Sequence, residues 1–84
     1  MNFNIYSVYD SKAECYTLPF YMKHEGEALR TFKNWANNPD HPIGQHPSDY
    51  TLFQIGTFDD EIAMIISDHV NSITNALPLQ ETKS

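Results

Sequence analysis

Four side chains able to bind a metal ion fall close together in the run NNPDHPIGQHPSDY, residues 37–50: Asp40, His41, His46 and Asp49. Imidazole nitrogen and carboxylate oxygen are zinc donors, and a zinc centre needs about four of them on a firm scaffold. The spacing here matches neither a finger nor a helical zinc pattern. Pro39, Pro42 and Pro47 point elsewhere. Each fixes φ and removes a backbone donor. The run therefore reads as a stiffened connector, with Pro47–Ser48–Asp49 as a turn ahead of a strand. No metal and no cofactor is expected. Nucleophilic catalysis would need Cys15 beside a base such as His24. Cys15 is expected inside a strand, where nothing in the spacing brings a base to it. The acid pair Asp59–Asp60 fits a tight turn, and Gly26, Gly44 and Gly56 are isolated, so there is no glycine-rich phosphate loop. No catalytic residue is assigned, and the chain is not expected to be an enzyme.

A nucleic-acid surface is the remaining chemical possibility. Single strands bind on aromatic platforms beside a basic groove. Lys23, Arg30 and Lys33, with the strand aromatics Tyr16 and Tyr21, are the residues that could build one. The charge balance opposes it. The formal net charge is −6. Residues 1–38 hold four acids and four bases, whereas residues 39–84 hold seven acids and only Lys83. Phosphate binding depends on clustered Lys and Arg that displace counterions. Direct single-stranded DNA binding is therefore the alternative reading, and a solvated helix face is the simpler account of the three bases.

The elements that must position these groups follow from periodicity. With 84 residues the chain is one domain. Residues 2–10, NFNIYSVYD, alternate as a strand, with Phe3, Ile5, Ser7 and Tyr9 on one face and Tyr6 and Val8 on the other. Residues 15–22, CYTLPFYM, read as its hairpin partner, at an edge or bulged because Pro19 cannot donate a ladder bond. Between residues 24 and 38 the period changes. Ala28, Leu29, Phe32, Trp35 and Ala36 share a helical face, and Pro39 ends the helix. Residues 49–67 read as a second hairpin turning at Asp59–Asp60, with Ile62, Met64 and Ile66 alternating against Ala63 and Ile65. Phe53 and Phe58 are expected on opposite faces, and Gly56 marks a bulge or a close backbone approach.

The expected fold is α+β: a four-stranded antiparallel sheet in β-β-α-β-β order with one covering helix. It spans residues 1–67, and residues 68–84 follow as a C-terminal arm or partly disordered tail, fraying over its last few positions. One helix covers one sheet face, while these strands carry apolar residues on both. An uncovered apolar patch usually marks a partner surface. A homodimer is expected, through the open sheet face or an edge strand, with Tyr6, Val8, Ala63 and Ile65 at its interface. No apolar run is long enough to span a membrane. The N-terminus lacks a basic start and an apolar signal core, and the lone Cys15 fits a reducing interior.

Two blocks carry a family likeness: YSVYDSKAE-Y--PFYM---GEALRTF over residues 6–32, and HPSDYTLFQIGTFDDE over residues 46–61. In order and spacing they resemble the small non-structural protein of gokushoviruses, single-stranded DNA microviruses, across roughly residues 3–62. The tighter turn after Asp59–Asp60 departs from the family, whose loop there is longer. The resemblance implies a non-structural phage protein in the host cytoplasm. It would act in viral DNA replication or in the switch to single-strand synthesis and packaging, contacting viral or host replication and assembly proteins. It brings no site residues with it.

Overall fold

The computed structural model describes residues 1–81. Five strands and two helices follow one another: β1 (Asn2–Asp10), β2 (Cys15–Tyr16), β3 (Phe20–Met22), α1 (Glu25–Ala36), α2 (Pro42–Gln45), β4 (Tyr50–Asp59) and β5 (Met64–Asn75). Single 3₁₀ turns occupy Pro47–Asp49 and Leu77–Leu79. All the strands pair antiparallel in one sheet of order β2-β1-β4-β5, with β3 also pairing to β1. Among the described residues no helix is long and apolar enough to cross a membrane.

The expected four-stranded β-β-α-β-β arrangement is thereby corrected to a five-stranded sheet in β-β-β-α-α-β-β order. The reason lies at Thr17–Leu18–Pro19. Pro19 has no N–H to give, so the second strand breaks there into β2 and β3, and Leu18 swings out, 89% exposed. Thr17 repairs the ladder. Its N–H donates to the Val8 carbonyl at 2.8 Å, while the Val8 N–H donates to Thr17 Oγ1 at 3.0 Å. Ser7 Oγ donates to the Thr17 carbonyl at 2.7 Å, so a buried hydroxyl is satisfied as well.

The last strand also departs from its expected bounds. Ile62 and Ala63 belong to the turn Asp60–Ala63, and β5 starts at Met64. β5 then runs on through residue 68 to Asn75, so the chain beyond residue 67 opens as strand. Ala76 is buried, and Gln80 reaches the helical layer. Its side-chain amide donates to the carbonyls of Ala36 (2.9 Å) and Gly44 (3.1 Å). The fraying expected at the last residues falls largely on residues 82–84, which lie outside the described residues.

Both long hairpins close with the same chemistry. Asp10 Oδ1 accepts from the N–H groups of Lys12 and Ala13, at 2.9 and 3.2 Å, and Asp59 Oδ1 accepts from the N–H of Glu61 at 3.0 Å. Four residues after each aspartate the chain enters the left-handed region, at Glu14 (φ 57°) and Ala63 (φ 53°). Short polar side chains that mimic a backbone turn make these bends local.

One face of the sheet carries the core. Ala28, Phe32 and Ala36 of α1 are buried against Tyr6, Val8 and Leu52, with Ile43 of α2 and Ala76 closing the ends. Each large side chain buried here contributes about 1.5–3 kcal/mol, a sizeable share of a small domain's total of about 5–15 kcal/mol. Gly44 lets α2 close on the end of α1: a Cβ there would collide with the backbone carbonyl of Asn38. Gly56 does the same for β5, where a Cβ would meet the Ile66 carbonyl. Burial holds the phenol of Tyr6 above its ordinary range, against a 3.1 Å hydrogen bond from the Asn4 amide that favours the phenolate, and the Glu25 charge adds to the rise. Tyr50 moves the same way, by burial first and then by the charges of Asp10 and Asp49.

Two measurements follow. Gly44→Ala should lose about 1–3 kcal/mol in denaturant unfolding, the range for forced overpacking. Gly26→Ala, where a Cβ meets nothing within 4 Å, should hold or gain stability, by up to about 1 kcal/mol. Because the phenols of Tyr6 and Tyr50 titrate higher folded than unfolded, the stability they contribute is intact below about pH 10 and falls as pH rises beyond it. Alkaline unfolding followed by far-UV circular dichroism should move to higher pH in Tyr6→Phe.

Candidate interaction face

The other face of the sheet is where the sequence leaves chemistry unspent. Alternation along β1 sends Tyr6 and Val8 toward the helices and Phe3, Ile5, Ser7 and Tyr9 the opposite way. Strand register carries this division outward. Phe3 pairs with Phe58, Ser7 with Phe53, Ile5 with Tyr21 and Tyr9 with Tyr16, and Phe58 pairs in turn with Ile65. Directly opposed residues share a face, so the open side gathers six aromatic rings. Tyr9 and Tyr16 have centroids 4.8 Å apart, Phe53 meets Tyr16 edge-on at 5.5 Å, and Tyr21 meets Phe58 edge-on at 6.0 Å.

Phe53 and Phe58 share this face only because the β4 register shifts. Ile5 pairs with Gly56 but Tyr6 pairs with Gln54, leaving Ile55 as an extra residue. Five positions separate the two phenylalanines, so an unbroken strand would put them on opposite faces. One bulged residue reverses the phase and reunites them. Gly56 was the sequence signal for that bulge. Its consequence for Phe53 and Phe58 was missed, because the phase reversal depends on the pairing with β1.

Two shallow apolar clefts lie on this face. One of about 290 Å³ is lined by Phe3, Tyr21 and Phe58. The other, about 360 Å³, is lined by Ser7, Tyr16, Thr17, Ile55, Ser67 and Val70. Tyr16 and Tyr21 are each 47% exposed. The side chains of β1 to β4 that point this way are uncharged.

The residues singled out in the sequence divide between the two sides. Tyr16, Tyr21 and Ile65 stand on the open face. Arg30 and Lys33 are exposed on α1, in the layer across the sheet, and Lys33 Nζ lies 3.3 Å from the Glu81 carboxylate. Lys23 is exposed just beyond β3. The helix bases and the strand aromatics are thus not assembled into one groove. Tyr6 and Val8 are corrected from interface to core: they are 0% and 1% exposed beneath the helix and have no surface to offer a partner. Ala63 sits at the left-handed corner of the β4–β5 turn, so its place is set by backbone geometry.

The connector that opened the question of metal binding proves to be built into the core. His41 Nδ1 accepts from the Ile43 N–H at 3.1 Å, capping α2, and its ring lies flat against Trp35 with centroids 5.5 Å apart. Ile43 is the buried plug that this cap positions. Among the described residues, no three of His, Cys, Asp and Glu come together as a metal centre would require.

Comparison with known proteins gives one family. The model of the family described as Phage ORF5 protein matches residues 3–79, nearly the whole chain. No curated protein matches it, and no solved structure does.

Proposed function

The chain belongs to the Phage ORF5 protein family, and we propose that this small phage protein is a homodimeric interaction module. Two copies join through the open faces of their sheets. In that state the protein serves phage DNA replication, or the switch to single-strand synthesis and packaging, by contacting replication or assembly proteins. The observation that carries the dimer is the uncovered, uncharged aromatic face. The replication role draws on the phage family and on the likeness to the gokushovirus non-structural protein.

Area and charge both favour a second copy as the cover. Strands of about ten residues span about 33 Å, and four strands side by side span about 19 Å. A rough surface of that footprint approaches the ~800 Å² per partner of a standard interface. A chain of net charge −6 would repel its copy through most surfaces, whereas this face brings neutral rings together, which stack well edge to face. Single-stranded DNA is the competing occupant, favoured by the exposed Tyr16 and Tyr21. Its phosphates would need bases at the rim of that face; Arg30 and Lys33 stand in the opposite layer, and of the three bases only Lys23, just beyond β3, lies next to it.

Sedimentation velocity, with the protein alone and with a labelled oligonucleotide at low salt, tests the reading. A particle of at least twice the 9.7 kDa chain mass is expected. Tyr16→Glu with Tyr21→Glu should weaken association at least about a hundredfold, since burying unpaired charge costs several kcal/mol, with an unchanged far-UV spectrum. A monomer at high micromolar concentration would remove the module. Oligonucleotide binding that collapses with added salt would hand the face to DNA.

A further inference from the structure

The two edges of the sheet are treated differently. On one side β2 and β3 are short, broken by the Thr17–Pro19 excursion and carrying a proline, which are devices that discourage a further strand. On the other side β5 is twelve residues long and, among the described residues, pairs with β4 alone; its register shifts between Ser67 and Asn71 and between Ser72 and Thr74, so Met64–Ser67 is its regular stretch next to the turn. From Met64 to Ser67 it contains no proline and no charged residue, and Asp68 is the first acid beyond that stretch. Its first stretch is apolar on both sides of the sheet. Ile65 shares the open face with Phe58, whereas Met64 and Ile66, paired with Asp59 and Thr57, point to the helical side. Met64 and Ile66 are about half exposed there, so α1 leaves that end of the sheet bare.

We infer that the β5 edge pairs with the β5 edge of a second copy, joining two five-stranded sheets into one continuous layer. Three features point to a second copy as the occupant. Residues 62–67, bounded by Glu61 and Asp68, are uncharged in the half of the chain that holds the acidic excess, so a contact centred on Ile65 sets uncharged residues against each other. The strip is self-complementary: about a two-fold axis normal to the sheet, antiparallel β5 strands set Met64 and Ile66 beside their counterparts. Ile65 also makes the edge continuous with the open face. That axis turns both open faces the same way, so each edge pair presents a doubled aromatic surface for another pair to cover. Edge and face contacts are both isologous, and together they close a tetramer with three perpendicular two-folds. The inference rests on the face dimer for the second of these contacts.

Sedimentation equilibrium on the full chain separates the two. Four chain masses are expected for the natural protein. Met64→Lys with Ile66→Lys, or Ile66→Lys alone if the pair disturbs the far-UV spectrum, should halve that mass and leave the face dimer. Tyr16→Glu with Tyr21→Glu should also halve it and leave the edge dimer. All four substitutions together should give a monomer. A natural protein of two chain masses that the lysines do not change would overturn the edge contact while sparing the face. A dimer that the lysines dissociate, and the glutamates do not, would keep the edge contact and remove the face. A monomer at every concentration would overturn both.

Discussion

One helical layer cannot shield both sides of a sheet whose central strands are apolar on both, and the rest of this structure answers to that shortfall. β1 shows it residue by residue. Tyr6 and Val8 vanish beneath α1, while Phe3 and Tyr9 are held partly open on the reverse. Ile5 and Ser7 are buried on that reverse side without a helix over them, Ser7 by its bond to the Thr17 carbonyl. The open face is thus ordered in the isolated chain, and a preformed surface loses less entropy when it is covered.

Two local irregularities tune what that face presents. The excursion at Thr17–Pro19 splits a strand but leaves Tyr16 and Tyr21 on the same side, because each half pairs independently with β1. The bulge at Ile55 brings Phe53 back in phase with Phe58. Pro19 breaks its strand because it has no donor, and Gly56, next to the bulge, lets the β5 backbone come close. The helical side follows the opposite logic. Its connector is stiff, and His41 and Gly44 lock α2 against α1. Charge is sorted between the layers too, with Arg30 and Lys33 on the helix and neutral rings on the open face.

Alternation in β1, the helical face from Ala28 to Ala36, and the stop at Pro39 were all legible before any coordinates, because each depends on residues a few positions apart. The turn at Asp59–Asp60 was equally local, and Gly56 signalled an irregularity correctly. A surplus of apolar strand surface over helical cover could be counted from composition and period, and the open face is that surplus made visible.

Which side of β1 the helix would take was not legible. The sequence reading placed Tyr6 and Val8 on the exposed side, and packing buried them, because a face is assigned only when α1, Ile43 and Leu52 meet there. Nor could the strand count, the joint phase of Phe53 and Phe58, or the extension of β5 beyond residue 67 be read from neighbours in the chain. Each is settled by pairing across the sheet. A one-residue shift in register sends every following side chain to the other face, and that register is a relation between strands that sequence spacing alone does not contain.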